Sequence, residues 1–373
     1  MKTTFRTYFN NFNRAGGLFY SVMILFFIPC LYACNFPHNH DLKLNDIQII
    51  GSHNSYKKAI DRALMKVLFA EDSNLAATLD YEHLTIPEQL NMGMRNLELD
   101  LFHDPDGGRY STPLGLKVIT NPSHYDSIKM MEPGFKVFHV QDIDFRSHNY
   151  LFSEALEVIR NWSDRNPGHI PVIITINLKD EIIDHEGFVK PLIYSGNALD
   201  SVDQAILSVL NWDRLIHPDL VKGSFKTLEE SILVKGWPFL DDVRGKFLFV
   251  LDASSTKNNL YKEGHPSLSK RVMFINVEEG NPEAAFMILN NPIVSHKKIQ
   301  GLVRKGYMVR TRSDANTIEA RMNDYSRWEF AKKSGAQVIS TDYYVPSAFF
   351  DSDYAVGFSG DTIFRINPVR IIQ

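Results

Sequence analysis

Cysteine is nearly absent from this chain, with only Cys30 and Cys34 among 373 residues. No intrachain disulfide can brace anything beyond position 34, so a folded body there must rest on its own apolar core. Excess positive charge is missing too. Forty lysines and arginines face 44 aspartates and glutamates, a formal net charge of −4. That balance excludes the basic footprint of a nucleic-acid-binding domain. Long hydrophobic runs are lacking, since the best one, Leu18 to Leu31, contains Pro29 and is too short to span a bilayer comfortably. There is no Walker A motif, dinucleotide glycine fingerprint, paired CxxC, HExxH or GxSxG elbow. What is present is globular composition, 44% hydrophobic and 23% charged.

The first 33 residues read as an export signal. Lys2, Arg6 and Arg14 precede the apolar run, no acid accompanies them, and Leu31-Tyr32-Ala33-Cys34 follows. That tetrapeptide resembles a bacterial lipobox with a bulky Tyr32, so the expectation is an exported lipoprotein with Cys34 lipidated. Plain cleavage near Ala33, giving a secreted or periplasmic protein, is the second reading, and a retained anchor is the third. Residues 34–45 form a polar tether whose His38 and His40 read as solvated linker side chains.

From Asp46 onward short apolar runs alternate with amphipathic stretches. The pattern predicts strands at Ile47–Gly51, Arg95–Leu101, Lys136–His139, Val172–Leu178, Lys246–Leu251, Val272–Ile275, Met308–Thr311 and Gln337–Ser340. Helices are expected at Phe152–Arg165, Val202–Leu210, Pro282–Leu289 and Ile318–Ser334. Eight strands, most followed by a helix, fit an α/β fold, a (β/α)₈ TIM-type barrel forming one domain over residues 46–373. The long crossover from Lys57 to Leu84 is a candidate flap. Asp104-Pro105-Asp106-Gly107-Gly108 lacks the distal glutamate of an EF-hand loop and reads as a turn.

Chemistry-bearing residues gather at the strand ends. His53-Asn54 follows the first strand, Glu98-x-Asp100 lies on the second, and His139 ends the third. Histidines can move protons, and oxygen donors can hold a hard divalent cation. Glu98 and Asp100 are two apart and so share a face of the sheet. Each piece has a bland reading: a satisfied structural histidine, a turn-forming Asn54, or an acid paired with Arg95. Three pieces on successive strand ends point together to metal-assisted phosphodiester cleavage. Asn177 and Lys179 share parity on the fourth strand, and Lys179 could neutralise a phosphate oxygen. Arg312 offers a bidentate phosphate contact, against a structural pair with Asp314 or Glu319.

The segments "GSHNSY", "IPEQLNMGMRNLELDLFHDPDGGRY", "FKVFHVQDIDF", "PVIITINLKDE", "VRGKFLFVLD" and "VRTRSDANTIEARMNDYSRWEFAKKSGAQVISTDYY" resemble the calcium-dependent phosphatidylinositol-specific phospholipase C family over most of residues 46–345. The resemblance implies a TIM-type barrel with His53 and His139 as catalytic histidines. It implies one Ca²⁺ held by Asn54, Glu98 and Asp100, with Asn177 where relatives commonly place a glutamate. The implied substrate is a phospholipid at a membrane surface, cleaved by a monomer through a cyclic inositol phosphate. Two other readings stay open: a glycerophosphodiester phosphodiesterase, which usually has arginine where Asn54 stands, and a barrel that binds without catalysis.

Overall fold

The computed structural model describes residues 42–360 and 362–370. The expected leader, Cys34 and the tether up to position 41 lie outside the described residues. Among the described residues ten strands are present: β1 (Ile47–Ser52), β2 (Asn96–Asp104), β3 (Gly134–Val137), β4 (Val172–Leu178), β5 (Phe247–Asp252), β6 (Phe274–Ile275), β7 (Phe286–Ile288), β8 (Met308–Arg312), β9 (Val338–Thr341) and β10 (Phe364–Ile366).

Eight of them are laid side by side in the order β6-β5-β4-β2-β1-β9-β8-β7, and a parallel bridge between Asn276 and Phe286 nearly joins the two ends. The fold is an α/β barrel of the TIM type. Strands buried on both faces need apolar side chains almost throughout, which is why "VIITINL" and "FLFVLD" form its walls. The outer layer is amphipathic. The helix Phe152–Arg165, for instance, turns Phe152, Ala155, Leu156, Ile159 and Trp162 inward, the spacing of one helical face.

Two predicted elements are corrected by the structure. Lys136–His139 is not a barrel stave, because β3 pairs antiparallel with the far end of β2, Val137 opposite Leu101 and Gly134 opposite Asp104. The missing stave is β7, inside the stretch read as a helix over Pro282–Leu289, where it pairs parallel with β8. β10 adds an antiparallel strand to the first half of β1, with Ile47 opposite Ile366.

The crossover after β1 folds into α1 (Arg62–Glu71) and α2 (Ser73–Leu79), then into α3 (Ile86–Asn91). Asp72 caps α2, accepting from the amides of Asn74 and Leu75, and the Glu88 carboxylate accepts the Thr85 amide at the start of α3. A satellite apolar cluster joins Ile60, Leu64, Met65 and Leu68 to Phe102, Tyr110, Phe138 and Phe145. It fastens the α1–α2 crossover to the loops at the C-terminal rim. Residues 104–108 form the expected turn after β2, where a Cβ on Gly107 would lie 2.1 Å from the Met131 carbonyl oxygen. Among the described residues no helix is long and apolar enough to cross a membrane.

Candidate active site

β1 and β2 touch where the site begins. Gly51 approaches Asn96 so closely that a Cβ would sit 2.3 Å from the Asn96 side chain, and two residues later His53 leaves the strand. Its Nδ1 is 2.9 Å from Oδ1 of Asp342, the residue just past β9. Strand pairing explains the meeting, because Ser52 is in register with Thr341. The other Asp342 oxygen accepts from Arg312 Nη2 at 2.7 Å, and Arg312 Nη1 reaches His53 Nε2 at 3.1 Å. A guanidinium can only donate, so this contact makes Nε2 the acceptor and puts the His53 proton on Nδ1, facing Asp342. Burial opposes the charge on Asp342, but His53 and Arg312 outweigh it and hold the carboxyl well below the ordinary range. Asp314 fixes that turn, its Oδ1 accepting the Asp342 amide at 2.8 Å. His83, pushed down to about 4 by burial, is a neutral ring whose Nε2 donates to the His53 carbonyl at 2.6 Å.

His139 follows β3 and is built the same way from different parts. Its Nδ1 lies 2.8 Å from Asp144 Oδ2, and Asp144 Oδ1 accepts from Lys57 Nζ at 2.9 Å. Burial would raise the Asp144 carboxyl, yet Lys57 and His139 bring it below its usual value. The tight turn 139–144 closes with the His139 amide on the Asp144 carbonyl. Both imidazoles keep 19% of their side-chain surface open, while both backing carboxylates are sealed.

Between the histidines in sequence lie the acids of β2. Register places Asp100 beside Asn177 and Asn177 beside Asp252, so one row of side chains crosses β2, β4 and β5 on one face. Glu98 is buried, yet Arg310 and the His53, Arg312 and Lys179 charges keep its carboxyl below the usual value. Arg310 Nη2 donates to Glu98 Oε2, and Glu98 Oε1 is 3.8 Å from His53 Nε2. Lys179 Nζ stands 2.9 Å from Asp100 Oδ2, but neither Asp100 oxygen accepts a well-angled hydrogen bond. Asn54 is buried in a left-handed backbone conformation (φ 50°), with Nδ2 donating to the Tyr81 hydroxyl at 2.8 Å. Asp252 is raised by burial and by the nearby Glu98 and Asp100 charges.

The structure thus brings His53, Glu98 and Arg312 together, sets Asp100 against Lys179, and puts Asn177 in the Asp100 row. Arg95 takes no part: it donates to the Leu90 and Met94 carbonyls and stacks on Trp162. Neither Asp314 nor Glu319 is the ion-pair partner of Arg312; that partner is Asp342, and Glu319 pairs with Arg327. Sequence reading missed Asp342, Asp144, Lys57, Arg310 and Asp252. Asp342, Asp144, Arg310 and Asp252 lie inside the segments quoted above, and Lys57 directly follows one. Asp342 had one usable signal, an acid at a strand's C-terminal end.

A family model described as "Phosphoinositide phospholipase C, Ca2+-dependent" matches residues 42–368. The chain belongs to this family. Among solved structures, the calcium-dependent phosphoinositol-specific phospholipase C of a Pseudomonas species matches at 17% identity, over 88% of this chain and 97% of that one. Its TM-score is 0.52 in the apo form and 0.51 in a myoinositol complex. The Streptomyces antibioticus enzyme gives 0.49 at 16% identity, over 81% and 95% of the two chains. No curated protein matches by sequence.

Calcium dependence is a property of this phospholipase C family. The side chains that could offer a cation hard oxygens are Asn54, Asn177, Glu98 and Asp100, and both Asp100 oxygens are buried and short of donors. Among the described residues no group of three or more histidines, cysteines and acids is placed to hold a metal ion. Those oxygens suit calcium in kind, while Lys179 and Arg310 already pair with the two acids.

Proposed function

We propose that this chain is a phospholipase C that cleaves the phosphodiester of phosphatidylinositol, releasing diacylglycerol and a cyclic inositol phosphate. The observation that carries this reading is the pair of part-open imidazoles, each held at Nδ1 by a buried carboxylate, on the rim of one barrel. Holding Nδ1 leaves Nε2 of each ring as the atom that exchanges a proton.

His53 Nε2 takes the proton of the inositol 2-hydroxyl as its oxygen attacks phosphorus. The bond from phosphorus to the diacylglycerol oxygen breaks, and His139 Nε2 gives that oxygen its proton. Arg312, already 3.1 Å from His53 Nε2, stands where it can meet a phosphate oxygen as the hydroxyl displaces it from the ring. Lys179 supplies a second positive charge beside Asp100. Calcium, held by Asn54, Glu98, Asp100 and Asn177, would contribute positive charge to the phosphate and acidify the attacking hydroxyl. Asn177 contributes no charge, so this chain should bind the ion more weakly than a site with three acids.

The test is a substrate screen on purified protein with and without calcium. Phosphatidylinositol should be cleaved with calcium present and turnover should stop on chelation. Activity that persists in chelator would remove the metal from the reading. Cleavage of glycerophosphoinositol but not the intact lipid would make this a glycerophosphodiester phosphodiesterase.

A further inference from the structure

The loop face that carries His139 also carries an apolar groove of about 330 Å³. Every one of its lining residues comes from a segment that follows the C-terminal end of a strand. Leu64, Leu68 and Leu75 belong to α1 and α2 after β1, Val118 to the loop after β2, and Ile183 to the loop after β4. Val140 and Ile143 are the critical pair. They lie inside the turn from His139 to Asp144, so one short turn presents the imidazole and walls the groove. Asp142, within that turn at φ 71°, ties the walls together. Its carboxylate accepts the Leu114 amide at 2.8 Å and the Val189 amide at 2.7 Å, and its carbonyl accepts the Gly115 amide at 2.8 Å.

The apolar character extends past the groove. Leu75 and Val118 on its lining are each 50% exposed, and Ile182 beside it is 56% exposed. Scattered surface leucines need no explanation, but a mostly apolar lining on a catalytic face, interrupted by Glu71 and His185, does. Its volume is that of a small-molecule pocket rather than a protein interface.

We infer that this groove receives an acyl chain of the glycerolipid leaving group. The inference rests on the phospholipase reading, in which His139 protonates the diacylglycerol oxygen: the group departing from His139 is apolar, and the surface continuous with the His139 turn is apolar. An acyl chain fits where a polar headgroup would lose its hydration. The chain would be gripped on the leaving side of the reaction and would hold the scissile oxygen near the acid.

The experiment uses the purified full chain, its Leu75→Arg and Val118→Arg variants, and phosphatidylinositols with four-, six- and eight-carbon chains below their micelle concentrations. Both side chains are half exposed and outside the catalytic machinery, so a charge there should close the groove without unfolding the barrel. For the unaltered chain kcat/KM should climb with chain length, by up to about fourfold for each methylene that enters the groove. In the variants the eight-carbon substrate should lose at least tenfold while the four-carbon one keeps its rate. Binding of dioctanoylglycerol, followed by calorimetry, should fall in parallel. A flat chain-length dependence, or an equal loss on all three substrates, overturns the groove. If no phosphoinositide is cleaved but dioctanoylglycerol binds and Leu75→Arg abolishes it, the enzyme reading fails and the groove stands. If the lipids are cleaved and dioctanoylglycerol binding is the same in all three proteins, the groove fails and the enzyme stands.

Discussion

The His53 and His139 sites share a plan, an imidazole, a buried carboxylate and a cation behind it, but they are assembled over very different distances. Asp144 lies five residues after His139, and Lys57 is the only distant part. Asp342 and His53 are 289 residues apart and meet only because β9 pairs with β1. One proton carrier is the product of a turn; the other exists only once the barrel has been wound. The cations differ as well. Lys57 is fully sealed and its charge is spent on Asp144, whereas Arg312 keeps some exposure and touches both Asp342 and His53. So the His139 site spends its cation on structure, and the His53 site keeps its cation in reach of a ligand.

The largest effects would come from the rings themselves. His53→Ala and His139→Ala should each lower turnover on phosphatidylinositol by at least ~10²-fold, the lower range for positioned acid–base groups. Steady-state assays check this, and near-normal turnover in either variant would remove that ring from the mechanism.

Next come the carboxylates, where the two sites should part company. Asp144→Asn leaves Lys57 charged and sealed without its counter-charge, a loss of about 3–5 kcal/mol of stability by the usual cost of breaking a buried pair. Asp342→Asn leaves Arg312 with His53 and partial solvent, so it should cost less stability while cutting activity about 10-fold or more through a misdirected His53 ring. Denaturant melts and kinetics on both variants test the contrast; equal losses of stability would erase it.

The smallest effect concerns acid. Asp342, Asp144 and Glu98 are all depressed in the folded state, so the folded protein binds fewer protons there than the unfolded chain. Their contribution is complete above the ordinary carboxylate range, roughly pH 4, and is lost as pH falls through the lower folded values. Circular dichroism against pH should show an acid limb below about pH 4 that is shallower in Asp342→Asn.

The barrel and the row of Asp100 and Asn177 were legible in sequence because both rest on local signals. Strand parity put Glu98 with Asp100 and Asn177 with Lys179, and an apolar run reveals a stave wherever it sits. Orientation is not local. "KVFHV" reads the same whether it joins the ring or folds back on β2, which is why Lys136–His139 was counted as a stave. "AAFMILN" is apolar at both helical and strand spacing, and β7 has only three residues to argue otherwise. Long-range partners were hidden for the same reason. Nothing near Lys179 or Arg312 announces that Asp100 and Asp342 hold them, and nothing near His53 announces Asp342.

The single bridge between Asn276 and Phe286 has a mechanical meaning. It closes the ring between β6 and β7, and in the strand order that seam stands farthest from β1 and β2. A substitution that loosens this seam should leave the His53–Asp342 and His139–Asp144 pairs in place, because neither is anchored there.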